Sequence, residues 1–227
     1  MKFKNWIIEE AVKPKQFQGK KIVYVDSNKF RSSSLENGEF CTSAIHEDFP
    51  KFIKDNEIWI DNSIKPHEIP EILKGISARL SKLKKKDDSE KAYNYGLKKE
   101  KEVRKKNPLK INPKKYHVLN DSKGKIHVFL VNGEAVRDKF KTDFSQGGHG
   151  YVYDWIPKNE IWLEVEEKDE YAPILAHEYS EMILMRDGKM SYNKAHEIAS
   201  KIEHELRKKG FSKKDYSKLT SNSHLLL

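Results

Sequence analysis

"FIKDNEIWID", residues 52–61, and "WIPKNEIWLE", residues 155–164, lie 103 positions apart and share an Asn-Glu-Ile-Trp core. The same offset runs downstream without a gap. Pro70 falls on Pro173, and Ala92, Glu100, Glu102 and Arg104 fall on Ala195, Glu203, Glu205 and Arg207. Just upstream, His46 falls on His149. Further back the offset grows to 106, and "VYVDSNKFR" (23–31) meets "FLVNGEAVR" (129–137), while "KPKQF" (13–17) resembles "NPKKY" (112–116). An internal match of this length reads as two copies of one module. Two copies alone predict tandem domains and not a solenoid, whose stability needs a longer stack of neighbours.

The fold expected of each copy follows from its residue patterns. "KKIVYVD" and "KIHVFLVN" read as strands that end in turns at Ser27-Asn28 and Asn132-Gly133. "RSSSLENGEFCTSAI" and "RDKFKTDFSQ" continue with weaker strand character. "YVYDWI" and "NEIWLE" are aromatic, β-rich segments about a turn at Pro157-Lys158-Asn159. Two helices come next. In the second copy one opens around Pro173 and stops at Asp187-Gly188, and the other runs from a Ser191 cap to Gly210. The matching cap in the first copy is Asp88. The expected class is therefore α+β, two tandem copies of a small module with strands followed by two helices. Residues 1–108 make the first module, with an N-terminal helix in "FKNWIIEEAV"; residues 109–227 make the second, with a C-terminal tail from Phe211.

The chain has 227 residues, with 44 Lys and Arg against 35 Asp and Glu, for a net charge of +9. This length fits one or two domains with a buried core. Much of the basic excess sits in the runs 82–86, 98–106 and 208–214. Two readings stand: solvated helix faces, or a surface for nucleic acid or an acidic partner. Cys41 is the only cysteine, which excludes a disulfide framework and a thiolate metal cluster and suits a reducing, cytoplasmic compartment. The N-terminal stretch carries no signal-peptide apolar run, and no segment reaches the roughly 18 apolar residues of a membrane span. No membrane partner is expected.

The two copies differ at one set of positions. "YAPILAHEYSEMILM" (171–185) places His177, Glu178 and Glu181 on the first helix of the second copy, where the first copy has Lys74, Gly75 and Ala78. On the second helix His196 stands where the first copy has Tyr93. His177 and Glu181 are one turn apart and share a helix face. His196 follows 19 residues after His177, across a turn short enough for antiparallel packing. Two helices then offer His, Glu and His to one divalent metal, and zinc takes this donor set. A catalytic zinc site keeps three protein ligands and an open position, where water is acidified, and Glu178 is placed to take the proton.

At these residues the chain resembles the zincin metallopeptidases. "HEYSE" is similar to their His-Glu-x-x-His helix, with Glu181 where the second His stands, making it a His-Glu-x-x-Glu variant. His196 is similar to the downstream third ligand of the gluzincin plan. The wider pattern of "IPKNEIW", "HEYSEMILM" and "SYNKAHEIASKIE" resembles an uncharacterised family of small zincin-like proteins from microbes and their mobile elements. The resemblance implies zinc held by His177, Glu181 and His196, with Glu178 as general base, acting on a protein or peptide substrate.

His149, in "SQGGHGYVYDW", has two open roles: an additional ligand or polarising group, or a structural hydrogen bond. The alignment of His46 with His149 favours the structural role. Asp143 and Asp154 are further candidates without a position. The leading expectation is a metal-dependent, peptidase-like hydrolase with one site in the second module. The alternative is a basic, non-enzymatic protein that binds protein or nucleic acid, in which the His/Glu set is a structural metal site or no site.

Overall fold

The computed structural model describes residues 7–8, 14–84, 88–120, 125–167 and 170–209. They form a mixed α+β structure of six helices and two small sheets. The chain divides into two compact units. The first holds the chain up to Arg31 with Glu39–Ile111 and Glu134–Asp143; the second holds Ser32–Gly38, Asn112–Gly133 and the chain from Phe144 on.

In the first unit β1 (Ile7–Ile8) and β2 (Gln16–Phe17) pair antiparallel with β3 (Lys20–Val25). The strand β3 pairs parallel with β5 (Glu57–Asp61), and β4 (Ser43–Ile45) closes the other side of β5, antiparallel. Alternation on β3 and β5 sends side chains to both faces. Ile22, Tyr24, Ile58 and Ile60 pack under α2 (Ile69–Leu83) with Ile72 and Ile76. Val23, Val25 and Trp59 face the other way, around Phe30. Phe30 sits edge-on to Phe40, Phe49, Phe52 and Trp59, the preferred geometry for aromatic pairs. The helix α3 (Ser89–Arg104) packs along α2 and starts at Asp88, whose carboxylate accepts from the Glu90 and Lys91 amides.

The second unit has the sheet order β6-β7-β9-β8, with β6 (Lys114–Asn120), β7 (His127–Val131), β8 (Gly147–His149) and β9 (Glu160–Glu164). The β7–β9 pair is parallel, and the β6–β7 and β8–β9 pairs are antiparallel. Val128, Leu130, Ile161 and Leu163 form a core with Ile174, Leu175 and Met182 of α5 (Tyr171–Arg186). The helix α6 (Tyr192–Lys209) packs against α5 and buries Ala195 and Ala199. The shared Glu-Ile-Trp has a local cause. Residues two apart on a strand share a face, so Trp59 donates its indole N–H to Glu57 at 3.2 Å and Trp162 to Glu160 at 2.7 Å.

The structure departs from the expected elements in three places. The segment after β3 is helix, α1 (Ser27–Ser33), followed by a 3-10 turn at Leu35–Glu39, and the segment after β7 is α4 (Gly133–Lys139). At α1 the expected turn residues Ser27-Asn28 open the helix, and the residue before them caps it: Asp26 accepts from the Lys29 amide at 3.1 Å. "YVYDWI" is a run of turns, with the Val152 and Tyr153 amides bonded to the His149 carbonyl, and only the following "EIWLE" is a strand. Within "FKNWIIEEAV", expected as an N-terminal helix, Ile7–Ile8 pair as a strand with Val25 and Tyr24, because β3 offers them an open edge. The rest of that stretch and the C-terminal tail lie outside the described residues. Among the described residues no helix is long and apolar enough to cross a membrane.

Candidate metal centre

The helix α5 is buried nearly all round, so its polar side chains point inward and need partners. His177 is 8% exposed and Glu181 2%. The carboxylate of Glu181 is surrounded by imidazoles from three elements. Its Oε1 lies 2.8 Å from His196 Nδ1 on α6 and 3.7 Å from His177 Nε2 one turn back. Its Oε2 lies 2.9 Å from Nε2 of His149, which is fully buried at the end of β8. The His177 and His196 rings meet edge to face, 4.9 Å between centroids.

A second row of residues holds the first. Nδ1 of His177 is 2.7 Å from Glu203 Oε2, an ion-pair distance, although the approach is too oblique for a ring N–H hydrogen bond. Glu203 is held from below by Arg207 Nη2 at 2.6 Å and Nε at 3.1 Å, and Arg207 also reaches Glu170 at the start of α5. This is the carboxylate–histidine arrangement that orients ligating imidazoles. Glu203 lies seven residues after His196, two turns along one helix face, a spacing legible in the sequence, where Glu203 stands out only as the partner of Glu100 in the repeat.

Glu178 is half-buried where α5 meets β8. A Cβ at Gly147 would lie 3.2 Å from the Glu178 Cγ, so only glycine lets the strand come this close without a shift. The charges set one another. Burial pushes the Glu178 carboxyl up to about 7, against the pull of His177 and His149. Burial also pushes Glu181 up, but hydrogen bonds from His149 and His196 and the nearby His177 imidazole win and hold it far below the usual carboxylate range. Burial pushes the His177 imidazole down, and Glu181 and Glu203 outweigh it, leaving the ring well above its ordinary value.

Two donor sets have ligand atoms within 4.8 Å of one another: His177, Glu181 and His196, and His149, Glu178 and Glu181. The first set suits a tetrahedral ion with bonds of ~2 Å, whose ligand atoms stand ~3.3 Å apart. The 3.7 Å from His177 to Glu181 is near that separation, and the 2.8 Å from His196 to Glu181 needs to open by a rotamer adjustment. Both sets lie in the second unit, and Lys74, Gly75, Ala78 and Tyr93 of the first unit form none among the described residues. In the first unit Gly75 and Tyr93 line a small cavity with Arg79 and Glu100.

The pairing of His149 with His46 does not hold. Ile45 is the residue opposite Ile58 on β5, and His149 is the residue opposite Ile161 on β9, so the strands are displaced by one residue relative to the 103 offset. His46 instead bonds the Ile53 carbonyl at 2.6 Å near Asp55. Its presence gives no reason to read His149 as structural. Asp143 is engaged in the first unit, accepting from Tyr93 at 3.2 Å, and Asp154 is exposed. Comparison of the chain with protein-family models, curated proteins and solved structures returned no match to any of them.

Proposed function

We propose that the second unit is a one-metal hydrolase centre, with zinc bound by His177, Glu181 and His196 and Glu178 acting as general base on a protein or peptide substrate. The observation that carries this reading is Glu181: a buried carboxylate at the meeting point of a strand and two helices, faced by three imidazoles. Burying a charge costs several kcal/mol unless it is paired or ligating. A metal bound there supplies Lewis acidity toward water and a substrate carbonyl. Glu178 sits beside the ligands without being one of the first set, and a carboxyl near 7 is matched to proton transfer at neutral pH. His177 is kept in place by Glu203 and Arg207. The zincin-like resemblance of "HEYSE" agrees with these roles, and the single cysteine agrees with a cytoplasmic setting.

On this reading the chain is a duplicated module in which one copy kept the site and the other only the fold. The shared order of parallel and antiparallel strands in the two sheets supports it. So do the repeated Glu-to-Trp bonds and the Glu100–Arg104 and Glu203–Arg207 pairs.

One observation favours a second reading. Burial of His177 and Glu181 suits a metal that ties α5 to α6 without turnover, in a protein that acts by binding. Elemental analysis of chelator-free protein, with a peptide-hydrolysis assay before and after metal removal, separates the two. Zinc at one atom per chain with metal-dependent cleavage is expected. Zinc without cleavage of any peptide in a diverse library would establish the structural site, and no metal at all would end both.

A further inference from the structure

We infer that His149 is a positioning residue and not a ligand, holding Glu181 so that one carboxylate oxygen alone faces the metal. The inference rests on the proposed metal reading, and its first step does not need a metal. The Tyr151 backbone amide donates to His149 Nδ1 at 3.2 Å. A backbone amide is always a donor here, so Nδ1 must present its lone pair. The ring proton of the neutral imidazole then sits on Nε2. Nε2 is the nitrogen 2.9 Å from Glu181 Oε2, so His149 donates to that oxygen.

This tautomer decides between the two donor sets. A ligating imidazole needs its lone pair at the metal. His149 Nε2 has a proton there, and moving the proton to Nδ1 would set it against the Tyr151 N–H. The ring is fully buried, with no room offered by solvent for a flip. The set of His149, Glu178 and Glu181 is thus not a second metal position, although its atoms are close enough for one. Two consequences follow. Oε2 of Glu181 is occupied by the His149 N–H, and Oε1 is left for the ion shared with His177 and His196. Glu178 is spared from ligation and stays available for a proton. The role parallels that of Glu203, which faces His177 Nδ1 at ion-pair distance: each residue lies outside the ligand shell and orients one ligand.

The test uses the full chain with 15N-labelled histidine. In metal-free protein, long-range 15N–1H spectra should show His149 protonated at Nε2 and bare at Nδ1. On titration with zinc, His177 and His196 should change and His149 should keep its pattern, with uptake stopping at one atom per chain. His149→Gln retains an N–H donor at the same reach and should hold zinc nearly as tightly as the wild type. His149→Ala should weaken zinc by 10–100-fold with the capacity still one, the usual cost of losing an orienting partner. A thermal melt of each variant confirms folding, and the wild-type spectra alone decide the tautomer if His149→Ala does not fold. A proton on Nδ1, a metal-shifted His149 nitrogen, or a second zinc lost with His149→Ala overturns the inference. If zinc does not bind the wild type while Nε2 is protonated, the metal reading falls, and the tautomer stands as a bond within a charge network.

Discussion

Glu203 Oε2 lies 2.7 Å from His177 Nδ1, so the one nitrogen of His177 that does not face Glu181 is backed by a carboxylate from the neighbouring helix. An imidazole held this way presents its other nitrogen in a defined direction and is a stronger donor. Glu203→Gln keeps the shape and removes the charge. Zinc affinity, measured by competition with a chromophoric chelator, should fall by about 10–100-fold with the stoichiometry unchanged. An unchanged affinity would assign Glu203 to Arg207 alone.

The first unit carries its own buried charges, and they bear on stability. Arg104 is fully buried; its Nε lies 2.9 Å from Glu100, and its Nη1 lies 3.1 Å from Glu68 and 3.0 Å from Asp138. Arg137 adds two bonds to Glu68, at 2.9 and 3.1 Å. Removing one member of such a group strands the others, so Arg104→Ala should cost about 3–5 kcal/mol in urea unfolding. Lys98→Ala, an exposed control on the same helix, should stay within about 0.5 kcal/mol. Burial pushes Glu68 up, but Arg137 and Arg104 hold it below the usual range. Its stabilisation is therefore present above the unfolded value of 4.5 and is lost as the pH falls below that.

Much of this was legible in the chain, and the misses have physical causes. The offset of 103 located β5 and β9, because a strand buried on both faces tolerates few changes and Glu-Ile-Trp is locked by its indole bond. The set of His177, Glu181 and His196 was legible because the first helix carries Lys74 and Ala78 in its place and helix periodicity puts i and i+4 together. The role of His149 was not. A shift of one residue in a strand exchanges its faces, and a gapless alignment cannot register the displacement between β4 and β8. The helices α1 and α4 were hidden because Ser-Asn and Asn-Gly serve turns and helix starts alike, and which one forms depends on whether a carboxylate such as Asp26 is free to cap.

Metal binding should release protons. In the metal-free site, Glu181 and Glu203 keep His177 protonated above its ordinary range, and ligation requires the neutral ring. Below the raised value, zinc affinity should fall by about tenfold per pH unit for this one proton. Calorimetry in buffers of different ionisation enthalpy measures the proton count directly; a count of zero below pH 7 would contradict the His177–Glu203 pairing. The sign for the metal-free fold is opposite. His177 contributes stability below the unfolded value of 6.5 and loses it as the pH rises through the folded value.

The separation of ligand from base is tested by Glu178→Gln. The amide has the same size, keeps the contact beside Gly147, and cannot take a proton. Zinc content and the thermal melt should match the wild type, because Glu178 lies outside the set of His177, Glu181 and His196. Peptide hydrolysis should drop by roughly 10²–10⁴, the scale of general acid–base catalysis. Glu181→Gln is the contrasting change: it weakens a ligand and leaves the His149 N–H with a poorer acceptor, so zinc should be lost with activity. The wild-type rate should rise with pH as Glu178 loses its proton. That limb should lie at or below pH 7, since burial brings the carboxyl to about 7 against the pull of His177 and His149, and a bound cation draws it further down. The limb should vanish in Glu178→Gln. Zinc lost from Glu178→Gln would make Glu178 a ligand and the set of His149, Glu178 and Glu181 the site, whereas zinc kept in Glu181→Gln would overturn both sets, since Glu181 belongs to each.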